Sequence, residues 1–214
     1  MTADALPHAI SFTLNGEQVF ANPGETLLQT AQRYGVEIPH LCHKEGLRAD
    51  GNCRACMVEI EGERTLAPAC CRTPTSGMVV GSSGARPRRA QRMVLELLNS
   101  DLGAFEQTHA SELAHWSARL GLGKPRFPAR VQPKPDVSHP AIAVNLDMCI
   151  QCTRCLRACR EVQVNNVIGY AGRGPHSRII FDIDDPLGES SCVGCGECVQ
   201  ACPTGALMPA NGVG

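Results

Sequence analysis

CIQCTRCLRAC, residues 149–159, and CVGCGECVQACP, residues 192–203, decide how this chain is read. Both follow the pattern C-x2-C-x2-C-x3-C, and Pro203 directly follows the second. Thiolates suit iron because sulfur is soft and its negative charge offsets Fe(II) and Fe(III). Three cysteines two residues apart wrap one face of a cubane, and the fourth, one helical turn onward, reaches across to the neighbouring cluster. The spacing therefore assigns Cys149, Cys152, Cys155 and Cys202 to one 4Fe–4S cluster. Cys192, Cys195, Cys198 and Cys159 hold the other. Gly194 and Gly196 let the backbone come close enough for amide N–H groups to donate to cluster sulfurs. A pair of zinc sites is the alternative that CxxC pairs also make.

Outward from these runs, a second thiol set lies at Cys42, Cys53, Cys56 and Cys70. The loop Gly51-Asn52-Cys53-Arg54-Ala55-Cys56 precedes an apolar–polar alternation, so the set suits a 2Fe–2S cluster on a loop ahead of a strand. Cys71 adjoins Cys70, and neighbouring side chains of an extended segment point to opposite sides, so only one of them can face the cluster. Cys70 is the expected ligand and Cys71 the alternative. Structural zinc or free thiols remain the competing reading of this set.

Residues 10–20 (ISFTLNGEQVF) alternate around Asn15-Gly16, a hairpin signal with a type I′ turn. In ETLLQTAQRYG, the residues Leu27, Leu28, Ala31 and Tyr34 share a helical face that Gly35 ends. A second hairpin is expected from 56–60 and 64–68 around Glu61-Gly62. This order predicts a β-grasp domain over 8–82. A helical connecting segment follows over 83–123, with helices at 87–99, where Met93, Leu95, Leu97 and Leu98 supply the apolar side, and at 110–120. Five prolines in 124–140 exclude a helix and predict an extended linker. The dicluster domain, 141–210, is an approximate repeat in which each cysteine run is followed by a short helix. The fold class is α+β: an N-terminal β-grasp 2Fe–2S ferredoxin-like domain, a short helical middle and a C-terminal bacterial-type 2(4Fe–4S) ferredoxin domain.

Composition agrees. Only 4% of residues are aromatic and Gly plus Pro number 21 and 15, so small cores would lean on metal. With 20 basic and 21 acidic residues, neither nucleic acid nor an anionic membrane surface is indicated. The opening MTADALPHAI has no basic n-region and no apolar h-region, and no apolar run nears the length of a membrane span. The expectation is a cytoplasmic protein in which 12 of the 13 cysteines bind metal and none forms a disulfide. The seven histidines show no dense ligand spacing, and Arg86, Arg88, Arg89 and Arg92 form a basic group on one helix. No GxGxxG, P-loop or Ser-His-Asp order is found, so neither catalytic residues nor a flavin or nicotinamide site is assigned.

The stretches 51–80, 155–174 and 185–209 resemble the N-terminal iron–sulfur module of the α subunit of cytosolic NAD-dependent, molybdenum- or tungsten-containing formate dehydrogenases. More distantly the chain is similar to the large iron–sulfur subunit of complex I and the diaphorase small subunit of NAD-reducing hydrogenases. The resemblance implies an electron-transfer subunit or module, with no catalytic site of its own. It would lie between a Mo/W-pterin subunit oxidising formate and a flavin/NAD diaphorase. The complex I and hydrogenase relatives usually carry an additional H-x3-C-x2-C-x5-C motif. Residues 99–123 hold His109 and His115 but no cysteine, so that extra cubane is not expected. The formate dehydrogenase subunits continue into a pterin domain, whereas this sequence runs to Gly214. An equivalent hydrogenase subunit is the nearest rival, and an iron–sulfur sensor or assembly protein the rival of another class.

Overall fold

Asn15 and Gly16 occupy left-handed backbone at φ 53° and 89°, which reverses the chain tightly enough to pair β1 (Ile10–Leu14) with β2 (Glu17–Ala21), Ile10 opposite Ala21. The computed structural model describes residues 9–102 and 111–212. Packing divides them into two units, one running to His43 and again over Ala49–Val94, the other comprising Lys44–Arg48 and Leu95 onward.

In the first unit, α1 (Leu27–Arg33) starts at Thr26, whose hydroxyl accepts from Gln29 N while Gln29 Oε1 accepts from Thr26 N, a reciprocal cap. Glu25 locks the preceding turn. Its carboxylate accepts from Asn22 N (2.9 Å), Asn22 Nδ2 (2.7 Å), Thr30 Oγ1 (3.1 Å) and Arg33 Nη2 (2.8 Å). Tyr34 departs from the expected helical face: it is the C-cap, partly exposed, and its hydroxyl accepts from Phe20 N. The sheet is completed by β3 (Met57–Ile60), β4 (Ala67–Pro68) and β5 (Val79–Gly81), in the order β2-β1-β5-β3-β4. β5 runs parallel to β1 and antiparallel to β3. Phe12, Leu14, Leu27, Leu28, Ile38 and Val58 fill the space between sheet and helix. This is the expected β-grasp.

The next helix, α2, covers Ala85–Asp101 and begins two residues before the expected start. Pro87 is at its third position, where a missing N–H costs no intrahelical bond. Pro87, Gln91, Leu95 and Ser100 are its buried positions, whereas Met93 and Leu97 are exposed, so the helix turns a different face inward from the one its leucines suggest. Gln91 is there because Nε2 donates to Met57 O and Ser82 O.

In the second unit, α3 (Glu112–Arg119) is capped by Ser111 and followed by Gly121 at φ 61°. Residues 124–140 contain no helix, and Asp136 forms an antiparallel bridge to Val144. β6 (Ile142–Val144) pairs with β9 (Leu207–Pro209), which ties the start of the domain to its end, and β7 (Ile168–Ala171) pairs with β8 (Arg178–Phe181). Ile142, Val144, Ile168, Phe181, Leu187 and Leu207 form the apolar core. The two short helices, α4 (Arg154–Arg157) and α5 (Glu197–Ala201), begin inside the cysteine runs; the first continues past Cys159 as a π-helical turn, Ala158–Val162, while the second ends before Cys202. The reason is geometric: the last x3 step needs a helical turn to bring the fourth cysteine round. No helix among the described residues is long and apolar enough to cross a membrane. His8 and His109 fall outside the described residues, while His115 packs edge-on against Trp116.

Candidate metal centres

Each cysteine run folds as a loop entering a helix, and the two loops share one backbone conformation. Gln151 and Thr153 sit at φ 54° and 64°; their counterparts Gly194 and Gly196 sit at 68° and 80°. Glycine adopts this region without strain, whereas glutamine and threonine do so at a cost. The first loop therefore does with ordinary residues what the second does with glycine. Gln151 N donates to Cys149 Sγ and Gly194 N to Cys192 Sγ, both at 3.4 Å, so each loop aims an amide at its first sulfur. The sequence signal at Gly194 and Gly196 was visible; its equivalent at Gln151 and Thr153 was not.

Cys149, Cys152, Cys155 and Cys202 line one hollow of about 300 Å³, mouth included, with Ile179 and Leu207 as its apolar wall. Cys159, Cys192, Cys195 and Cys198 line another of about 360 Å³, walled by Val167 and Leu187. Cys159 and Cys202 have exchanged places, each facing the three cysteines of the opposite run. Burial pushes the Cys149 thiol to about 11 and Cys152 to about 12, and it drives Cys155 well above the ordinary thiol range. Cys202 adds to all three by like-charge repulsion. Burial likewise raises Cys198 to about 12, with Cys192, Cys195 and Cys159 contributing. Four thiolates cannot share such a space without cations to offset them.

In the first unit, the loop before β3 and the segment after β4 bring Cys42, Cys53, Cys56 and Cys70 together. Hydrogen bonds from Cys53 and then Cys70 lower the Cys42 thiol, and a hydrogen bond from Cys70 lowers Cys56. Cys53 and Cys70 move the opposite way, Cys53 through Cys42 and Cys70 through Cys42 and Cys56. The four sulfurs thus form one connected set. Cys53 Sγ also accepts from Cys42 N (3.4 Å) and Ala55 N (3.5 Å). Cys70 is fully buried, while Cys71 is exposed and lies against Gly51. No three His, Cys, Asp or Glu among the described residues close on a point as a single ion requires. It is the spacing, the cysteine-lined hollows and the family matches below that speak for polynuclear clusters.

Three arginines about the first hollow escaped sequence reading. Arg154 and Arg157 are each 3% exposed, and Arg130 is largely buried. Arg154 grips Glu112 in a two-pronged pair (2.6 and 2.8 Å). Arg157 Nη2 donates to Cys152 O at 3.4 Å and Arg130 Nη2 to Cys149 O at 3.3 Å. Nothing in the local pattern distinguishes these arginines from solvated ones.

A β-grasp domain and a two-hollow cysteine domain in one chain define an iron–sulfur protein. Residues 8–84 match the model of the 2Fe–2S iron–sulfur cluster binding domain, and 148–206 that of the 4Fe–4S dicluster domain. The chain is 34% identical, over 93% of its length, to an NADH-quinone oxidoreductase subunit of Rhizobium meliloti (strain 1021), of which it covers 24%. It is 29% identical, again over 93%, to a putative formate dehydrogenase of Staphylococcus haemolyticus (strain JCSC1435), covering 20% of that protein. The chain thus spans a quarter or less of the length of both relatives. Among solved structures, a chain of NAD+-reducing NiFe-hydrogenase superposes with a TM-score of 0.85 at 28% identity, covering 94% of this chain and 87% of that one.

Proposed function

We propose that this chain is an iron–sulfur electron-transfer subunit or module of an NAD-linked oxidoreductase complex. It carries electrons between a Mo/W-pterin subunit that oxidises formate and a flavin/NAD diaphorase, in the cytoplasm. The crossed gathering of eight cysteines into two hollows, beside a separate four-cysteine set, carries this reading. Cys149, Cys152, Cys155 and Cys202 would hold one 4Fe–4S cluster, and Cys192, Cys195, Cys198 and Cys159 the other. Cys42, Cys53, Cys56 and Cys70 would hold the 2Fe–2S cluster. Such clusters supply one-electron redox chemistry. The chain's own residues supply thiolates, amide donors to sulfur and an apolar wall that keeps water from most of each hollow.

A second reading has its own observation. The superposition on a chain of an NAD+-reducing NiFe-hydrogenase, nearly end to end, favours the equivalent hydrogenase subunit. Isolation of the native complex under anaerobic conditions separates the two. The formate reading expects co-purifying pterin and flavin subunits, identified by mass, and bleaching of the cluster absorbance by formate. Bleaching by hydrogen and not formate would install the hydrogenase reading. The chain alone should bind about 10 irons, 2 and twice 4, and be reduced by dithionite without formate:NAD activity. Stoichiometric zinc would overturn both readings.

A further inference from the structure

The two cysteine runs align residue for residue, with the same left-handed positions and the same amide-to-sulfur bonds. Through the loops, then, backbone geometry does not distinguish the two hollows, although Cys159 continues into a π-helical turn, Ala158–Val162, where its counterpart Cys202 is extended; charge does distinguish them. Arg154 and Arg157 occupy the places that Glu197 and Gln200 occupy in the second run, a difference of three unit charges at matched positions. The contrast extends outward. Over matched windows, residues 149–162 carry Arg154, Arg157, Arg160 and Glu161, whereas 192–205 carry Glu197 and no Lys or Arg.

The first-run charges are also better placed. Both guanidiniums are buried, and Arg157 binds the carbonyl of Cys152 itself. Glu112, the partner of Arg154, is 43% exposed, so water shares its charge while the guanidinium stays inside. A cluster gains a negative charge on reduction, and a cation in a low-dielectric wall stabilises that form. Hydration works in the opposite sense here, because Cys195 is exposed and Cys192 half-buried, and water also stabilises a reduced cluster. Water also meets the first hollow, at half-buried Cys202, so hydration offsets the charge contrast only in part.

We infer that Arg154 and Arg157 raise the reduction potential of the site formed by Cys149, Cys152, Cys155 and Cys202 above that of the site formed by Cys159, Cys192, Cys195 and Cys198. An electron shared between them resides at the first. Both arginines are positioning residues, acting through the field at the thiolates. This inference rests on the cluster reading above.

The test is an anaerobic, EPR-monitored redox titration of the loaded chain with dithionite and mediators. Arg157→Gln should lower the higher of the two cubane midpoints, cutting the reduced:oxidised ratio at fixed potential about tenfold, 59 mV for one electron. Arg157→Lys keeps the charge but loses the fork, and should restore the midpoint. Glu197→Gln, at a half-buried position outside the hollow lining, should raise the lower midpoint and leave the higher one alone. Movement of the lower midpoint by Arg157→Gln, or an equal loss with lysine, would overturn the inference. So would an unmoved higher midpoint in Arg157→Gln. An unsubstituted protein without two cubane signals would instead sink the cluster reading, with the inference falling alongside it.

Discussion

Cysteine pairs chosen across and within the two hollows should reveal the crossed ligation by their additivity. The structure places Cys202 with Cys149, Cys152 and Cys155, and Cys159 with Cys192, Cys195 and Cys198. Alanine at one member of a four-thiolate set removes that cubane, and a second alanine in the same set removes nothing more. From about 10 irons per chain, Cys202→Ala should leave about 6, and Cys202→Ala with Cys149→Ala should again leave about 6. Cys202→Ala with Cys192→Ala strikes both hollows and should leave about 2, all in the 2Fe–2S site. The assay is iron and sulfide analysis after anaerobic reconstitution, with the 2Fe–2S EPR signal as internal standard for folded protein. A three-iron remnant shows its own EPR signal in the oxidised state and is scored as a lost cubane. The opposite pattern, additive with Cys149 and non-additive with Cys192, would mean that each run holds its own cluster and would refute the reasoning.

Cys71→Ala should keep the 2Fe–2S EPR signal and Cys70→Ala should abolish it, because Cys70 is buried among the other three thiols and Cys71 is exposed; the reverse result would move the ligand. Burial pushes the Glu25 carboxyl up, but hydrogen bonds from Arg33 and Asn22 overcome it and hold it near 2, against 4.5 ordinarily. A depressed carboxylate stabilises the fold fully above about 4.5 and loses that contribution as pH falls towards 2. The gap sets a ceiling of ~3 kcal/mol, which solvent around the partly exposed Arg33 reduces to ~1 kcal/mol. Glu25→Gln should therefore lower the unfolding free energy from denaturant titration by that amount, equally at pH 7 and pH 5, and a deficit that changes between those values would count against it. Gly188→Ala would set a Cβ 2.4 Å from Ser138 O, a backbone atom that cannot turn aside. It should cost ~2 kcal/mol or more, read as a lowered melting temperature, and an unchanged melting temperature would refute the packing of residues 136–138 on the Leu187 turn.

Covalent spacing alone determined the chemistry here. Cysteines at intervals of two, two and three residues point to a small metal cage, and alternation around Asn15-Gly16 points to a hairpin. These are local rules, so the chain announces them without its fold. What the tertiary structure decided is non-local. Short β5, only Val79–Gly81, gave no periodicity to read, yet it lies at the centre of the sheet because β1 and β3 both pair with it. Cys70 and Cys71 are equivalent by counting, and only the packing of the segment after β4 buries one and exposes the other. Gln151 and Thr153 look like ordinary loop residues until the fold holds them in glycine's conformation. Arg154 and Arg157 look solvated until the fold brings Glu112 of α3 to one guanidinium and Arg48 O to the other and buries both. Burial is a property of what packs from elsewhere in the chain, and it is burial that turns those two charges from surface decoration into a field on the cysteines.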